Sequence, residues 1–187
     1  MKGVIFNLLE SMVIDRFGDE TMEDIYEEAE FSADAPPFIG PETYPDSDLI
    51  AIVSLLSEKS DLPVDDLIFE FGRYMFPALA KKYPVFFQDI ESPIEFLKTV
   101  NDIIHVEVKK LLEGATPPLI TVASFEQNKA EIHYASERKL CRLMEGLLEG
   151  LAAHFDKNIS YHHKQCMKDG FDHCVLNIEF NEPVHRQ

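Results

Sequence analysis

The sequence is poor in basic side chains: 187 residues hold 17 lysines and arginines against 34 aspartates and glutamates, a net charge of -17. A surface of this sign repels nucleic-acid phosphates and anionic membranes, so neither is an expected partner. The negative net charge can be explained without a binding partner, because net charge also keeps a protein in solution. Acidic pairs such as Glu27-Glu28 fit a solvated helix face.

Long apolar runs are also missing. No stretch approaches the roughly 20 apolar residues that span a bilayer. The opening MKGVIFNLLESMVIDRF is interrupted by Glu10 and Asp15, so it does not read as a signal peptide. Cysteine is scarce and odd in number, at three, which favours a reducing cytoplasm over a disulfide framework. With 45% hydrophobic residues, the chain is expected to fold around a sizeable core.

Sequence signatures of catalysis are absent. The chain has no glycine-rich phosphate loop and no serine or cysteine in a recognisable nucleophile setting. The sequence therefore predicts a binding or sensing protein rather than an enzyme.

The first half of the chain predicts helices. Apolar periodicity and capping signals indicate helices over residues 2–17, 21–29, 48–59, 63–83 and 92–112, with a proline-rich loop over 31–47. Gly72 and Pro77 predict a bend or interruption in the fourth helix. Asn101-Asp102 predicts a break in the fifth.

The second half changes character after Pro117-Pro118. Two hairpins are expected, LITVASF with AEIHYAS and NISYHHKQC with FDHCVLNIEF, separated by a helix over residues 138–155. The predicted fold class is α+β: an N-terminal helical lobe packed on a C-terminal lobe with a four-stranded antiparallel sheet and helices.

His105 lies on an apolar helical face with Val108 and Leu112. A buried imidazole needs partners for its ring nitrogens, so one interpretation is a core histidine bonded to backbone. The other is an axial metal or haem ligand, a role for which neutral imidazole is suited.

The segment YASER places Tyr134, Ser136 and Arg138 at alternate positions, which share one face of an extended chain. Two hydroxyls and a guanidinium fork match a carboxylate or phosphate. The plainer interpretation is a strand end, with Ser136 capping the next helix and Arg138 in solvent.

A cysteine and histidine set forms the third candidate. Zinc sites of the structural kind use four sulfur or nitrogen ligands, and the possible set here is Cys141, His163, Cys166 and Cys174. Three unrelated buried thiols are the alternative. His162 and His173 are close enough in sequence to compete as the nitrogen ligand.

These features occur in an order that resembles a known family. MKGVIFNLLESMV, FGRYMFPAL, DIIHVEVKKLLEGATPP, YASERKLC and EGLLEGLAAHF follow one another along the chain. The sequence resembles the haem–nitric oxide/oxygen binding (H-NOX) family, related to the haem domain of soluble guanylate cyclase. The resemblance covers essentially the whole chain as a single domain, residues 1–187, with a distal helical subdomain over 1–62 and a proximal subdomain over 63–187.

The resemblance implies haem b (iron protoporphyrin IX) between the lobes. His105 matches the proximal iron ligand, and Tyr134, Ser136 and Arg138 match the motif that holds the haem propionates. Pro118 matches a proline that packs against and distorts the haem. A subset of the family carries a zinc site of three cysteines and a histidine, which align with Cys141, His163, Cys166 and Cys174.

The resemblance also implies which residues surround the gas-binding (distal) side of the haem and so affect gas selection. These residues are Ile5, Leu9, Met75, Leu79 and Leu143. Oxygen-binding relatives carry a tyrosine where this chain has Leu143. Bound oxygen gains from a hydrogen-bond donor that an aliphatic pocket does not offer. We therefore expect a nitric oxide sensor. The protein should also bind carbon monoxide and should exclude oxygen.

The resemblance further implies signalling to a separate protein, either a histidine kinase or a cyclic-di-GMP enzyme (diguanylate cyclase or phosphodiesterase). Nitric oxide would release His105, and the helical lobe would shift against the α+β lobe. An alternative function is a zinc–thiolate redox sensor built on the cysteine cluster.

Overall fold

The computed structural model describes residues 1–32 and 35–183. Residues 33–34 of the proline-rich loop lie outside this range. The helices run in chain order as α1 (Gly3–Phe17), α2 (Asp19–Glu28), α3 (Asp46–Ser60), α4 (Val64–Lys82), α5 (Pro93–Thr99), α6 (His105–Leu111) and α7 (Cys141–His154). The strands are β1 (Leu119–Glu126), β2 (Lys129–Ala135), β3 (Asn158–Gln165) and β4 (Cys174–Asn181).

The α+β prediction is confirmed. Both hairpins form, and β2 pairs with β4, so the antiparallel sheet has the order β1-β2-β4-β3. Alternation along β2 buries Ala130, Ile132 and Tyr134 on one face and leaves Glu131 and His133 on the other. Tyr134 therefore points into the core side of the sheet.

The predicted break before His105 is also confirmed. A π-helical segment, Val100–Ile104, joins α5 to α6. Single π-helical turns inside α-helices are frequently found at functional sites. His105 is the first residue after this irregular segment.

The predicted interruption of α4 is wrong. The helix passes through both Gly72 and Pro77 without a break. A Cβ on Gly72 would overlap the Leu143 carbonyl oxygen, so this glycine permits close packing against α7. Tertiary packing on both sides of the helix outweighs the hydrogen bond that proline removes.

Two hydrophobic cores meet on α4. The first contains α1, α2 and α3 with Leu67, Ile68, Phe71 and Met75. The second contains the sheet and α7, together with Phe76 and Ala80 from the next turns of α4. Within the described residues, no helix has the length and apolar character needed to cross a membrane.

Candidate functional site

A large apolar cavity opens between the two cores. Its volume is about 400 Å³. Helices α4, α6 and α7 each contribute at least three residues to the wall, and the core face of the sheet adds Ile120, Ile132 and Tyr134. A cavity of this size and apolar lining, with polar groups at few points, is typical of a cofactor or small-molecule site.

His105 lines this cavity. Its Nδ1 atom is buried and has no hydrogen-bond partner. Burial lowers the pKa of His105, with help from the Lys109 charge, and the Pro118 carbonyl opposes the shift in part. The imidazole is therefore held neutral, which is the form that binds a metal. The alternative interpretation, a core histidine bonded to backbone, has the Pro118 carbonyl in its favour.

The motif residues meet at one end of the cavity. Tyr134, Ser136 and Arg138 all line it. Burial raises the pKa of Tyr134 to about 12, so its hydroxyl stays protonated and can donate. The prediction that all three residues lie on an extended strand is wrong beyond Ala135, where β2 ends. Ser136 Oγ accepts the backbone N–H of Arg138 at 3.3 Å, which places Arg138 in a turn.

Arg138 has partners that sequence reasoning missed. Nη1 donates to the Thr116 carbonyl at 2.7 Å and Nη2 to Thr116 Oγ1 at 2.8 Å. Nε lies 2.7 Å from Asp46 Oδ2 at the start of α3. Burial opposes ionisation of Asp46, but the N-terminal ammonium and Arg138 lower its pKa overall. No local pattern marks Asp46 or Thr116, because both reach Arg138 only through the fold.

The predicted distal residues separate into two groups. Ile5, Met75, Leu79 and Leu143 line the cavity, as does Pro118. Leu9 does not: it is fully buried in the first core. It shares a face of α1 with Ile5 but lies one turn further on, which carries it past the cavity. Tyr83, at the end of α4, is a lining tyrosine that sequence reasoning missed.

The three cysteines converge at the junction of α7 with the sheet. Cys141 Sγ lies 3.3 Å from Cys174 Sγ, which lies 3.7 Å from Cys166 Sγ. Among the described residues, these sulfurs are the one histidine, cysteine or carboxylate group compact enough to hold a metal ion. Burial raises the pKa of the Cys141 and Cys174 thiols, each with a neighbouring sulfur as a further influence.

The predicted nitrogen ligand, His163, is not part of this compact sulfur group. His163 Nε2 is bonded to Glu145 Oε1 at 2.9 Å, while its Nδ1 is buried and without a hydrogen-bond partner. His173 lies beside His133 on another part of the sheet, and its Nδ1 is bonded to Asp172. His162 is exposed on β3.

The fold and the cavity define an α+β domain built around a buried cofactor site with one neutral histidine. The sequence profile described as Haem-NO-binding matches residues 2–163, and the chain belongs to this H-NOX family. An H-NOX protein from S. oneidensis in the Fe(II)NO ligation state is 32% identical, with 97% of this chain and 100% of that chain covered at a TM-score of 0.90. The unliganded Fe(II) H-NOX protein from K. algicida is 27% identical, with 100% of both chains covered at a TM-score of 0.88.

An NMR structure of the Shewanella oneidensis domain in the Fe(II)CO ligation state is similar as well. It is 32% identical, with 98% of this chain and 100% of that chain covered at a TM-score of 0.86. The family places haem binding and gas sensing on this chain.

Proposed function

We propose that this protein senses nitric oxide through a ferrous haem b bound in the cavity, and that it excludes oxygen. The observation that carries the proposal is the pairing of His105, whose pKa burial lowers, with a largely apolar cavity wall. His105 would hold the haem, which would supply a ferrous iron able to bind a diatomic gas. Solved relatives in the Fe(II)NO and Fe(II)CO ligation states support both gases as ligands.

The cavity residues fit the haem at both ends. Two propionate carboxylates entering an apolar site need charge-assisted donors, which Arg138 and the Tyr134 and Ser136 hydroxyls would supply. Pro118, directly after Pro117, gives the wall near His105 a rigid backbone that would press on the haem.

Gas selection follows from the side chains on α4 and α7. Met75, Leu79 and Leu143 present no hydrogen-bond donor to a bound ligand. Oxygen bound to ferrous iron is stabilised by such a donor, and nitric oxide depends on it much less. The same side chains offer no acid or base for turnover, which favours sensing over catalysis.

The signal would begin at His105. We propose that nitric oxide binding releases this residue, so that α6 and the π-helical segment are free to shift. Lys2 ties that region to the first core, because its buried ammonium donates to the Glu113 carbonyl and to the Pro41 carbonyl at 2.9 Å. The proposed distal (1–62) and proximal (63–187) subdomains would then move relative to each other.

The receiver we propose is a separate cytoplasmic protein, a histidine kinase of a two-component system or a cyclic-di-GMP enzyme. The resemblance to the H-NOX family supports this choice. The small and odd number of cysteines supports a location in the reducing cytoplasm.

Absorption spectra of the reduced protein test the gas assignment, first without oxygen, then in air, then with nitric oxide. We expect a spectrum that air leaves unchanged and nitric oxide shifts. Leu143→Tyr should introduce some oxygen binding, while Tyr83→Phe should behave as the wild type. A stable oxygen complex in the wild type, lost in Tyr83→Phe, would overturn oxygen exclusion and identify Tyr83 as the donor.

A second proposal is a zinc site on Cys141, Cys166 and Cys174 with His163 as the fourth ligand. Three sulfurs within 4.8 Å of one another and the orphaned His163 nitrogen support it. Zinc would join α7 to the last hairpin and stabilise the fold. A redox role would follow if peroxide oxidised two of the thiolates to a disulfide and the metal left.

Metal analysis of the purified protein tests the zinc proposal. One equivalent of zinc is expected in the wild type, and Cys174→Ala should lose it. If Cys174→Ala also abolishes a response to peroxide but keeps the response to nitric oxide, the two sites act separately. Absence of zinc from protein purified and reconstituted with Zn²⁺ would overturn the proposal.

A further inference from the structure

Glu145 is a buried acid that the haem function does not use. The residue is 5% exposed in the middle of α7. A carboxylate removed from water needs charged or hydrogen-bonding partners, and Glu145 has two. Oε2 is paired with the Arg142 guanidinium one turn earlier, and Oε1 is bonded to His163 Nε2.

This arrangement determines which nitrogen of His163 is free. An ionised carboxylate can only accept, so Nε2 must carry the proton that is shared with Glu145. In the neutral ring, Nδ1 then keeps its lone pair, and it is this atom that is buried without a partner. Metal-binding histidines very commonly have their second nitrogen bonded to a carboxylate in this way.

The same elements carry the sulfur group. Cys141 and Glu145 are four residues apart, so they lie on the same face of α7. Cys174 and Leu176 share a face of β4, and Leu176 is the residue paired with His163. Glu145 and His163 therefore occupy the layer of the α7–sheet junction next to the cysteines.

We propose that Glu145 is the positioning residue of this metal site, holding His163 with Nδ1 available to the ion. The inference rests on the zinc site proposed above. Arg142 fixes Glu145 from the other side, and its guanidinium also lies over the Phe69 ring at 4.6 Å. Through this contact, the metal site is connected to α4, which forms a wall of the haem cavity.

Zinc competition against a chromophoric chelator tests the assignment. Glu145→Ala should bind Zn²⁺ about 10- to 100-fold more weakly than the wild type, the range typical for loss of such a partner. Glu145→Gln keeps a hydrogen-bond acceptor and should recover part of the affinity. Glu149→Gln, one turn further along α7 and half-buried, is the matched control and should bind as the wild type does.

A second readout separates positioning from a general loss of structure. In metal-free protein, the ¹⁵N shifts of His163 should report the Nε2–H tautomer in the wild type and a mixture of tautomers in Glu145→Ala. Co²⁺ in the wild type should give a four-coordinate spectrum that changes in His163→Gln. Equal affinities and tautomers in Glu145→Ala and wild type would overturn the role of Glu145 while leaving the zinc site intact. Failure of the wild type to bind Zn²⁺ or Co²⁺ would remove the site itself.

Discussion

Single residues divide the large cavity, the proposed haem site, into a polar end and an apolar remainder. Arg138, Tyr134 and Ser136 form the polar end, and Thr116 and Asp46 hold the Arg138 fork in place. His105 stands apart from them, half-buried and with a lowered pKa that favours its neutral form. Roles at this scale can be tested by removing one side chain at a time.

Substituting His105 is expected to show whether its ring is the iron ligand, independently of the other cavity residues. In His105→Gly, the ferrous absorption spectrum should change, and added imidazole should restore it, because a free ring can occupy the vacated space. Glycine also costs the helix about 1 kcal/mol, a loss that imidazole does not repair. A spectrum unchanged from the wild type would exclude His105 as the ligand.

Arg138→Ala should weaken haem retention. Each charge-assisted hydrogen bond is worth about 1.5–3 kcal/mol, which corresponds to roughly tenfold or more in the dissociation constant. Haem transfer to an excess of an apo-globin acceptor measures this directly. Lys110→Ala, which removes the same charge from an exposed position on α6, is the control. Equal transfer rates in the two variants would place Arg138 outside the haem site.

Between elements, the critical contact is that of α4 with α7. Gly72, Gly146 and Gly150 let these helices approach so closely that an added Cβ would meet backbone or Phe76. Since the two helices also form the cavity wall, their spacing determines the space left for the haem.

Gly146→Ala should destabilise the protein. Its Cβ would overlap the Phe69 carbonyl oxygen, and overpacking of this kind costs about 1–3 kcal/mol. Urea unfolding measures the loss. Gly40→Ala, where an added Cβ meets nothing within 4 Å, should stay close to the wild type. Comparable stability of the two variants would mean that α4 and α7 can separate at little cost.

The whole molecule combines an uneven charge with two cores. Residues 1–62 hold 15 acidic and three basic side chains, so most of the net charge of -17 belongs to this part. Arg16 is one of those three cations, and it joins α1 to Glu70 on α4 at 2.7 Å. Arg73 pairs with the same carboxylate at 2.8 Å.

This network predicts a pH dependence of stability. Burial opposes ionisation of Glu70, but Arg16 and Arg73 outweigh it and hold the pKa of its carboxyl below the usual value. The unfolded chain then binds the proton more readily, so the stabilisation is complete above pH ~4.3 and is lost as the pH falls through the folded pKa.

Glu70→Gln should therefore cost about 0.5–1 kcal/mol at pH 7 and low salt, the scale of partly exposed ion pairs. The difference from the wild type should shrink towards zero near pH 3. Urea unfolding at both values measures it, with Glu58→Gln on the exposed side of α3 as a control for net charge. A difference that persists at low pH would show that packing of Glu70, not its charge, stabilises the protein.

Local patterns were sufficient where a short stretch of chain carries its own structural preference. The alternation in AEIHYAS predicted β2, and the polar Asn101-Asp102 pair marked the break that became the π-helical segment. The spacing of Cys141, Cys166 and Cys174 suggested a cluster because the elements that carry them had to pack together.

Long-range contacts were beyond such patterns. Pro77 is a helix breaker by local rules, yet α4 continues because packing on both cores compensates. Leu9 has the right residue type and helical face for the cavity, and only the position of α1 removes it.

The sequence by itself determined the α+β class, the helix carrying His105 and the motif of Tyr134, Ser136 and Arg138, because hydrophobic period and residue chemistry are local properties. The tertiary structure alone decided the strand order, the partners of Arg138 and the bond between Glu145 and His163. Those depend on groups far apart in the chain meeting at van der Waals or hydrogen-bond distance, a condition that is met only when the whole core has packed.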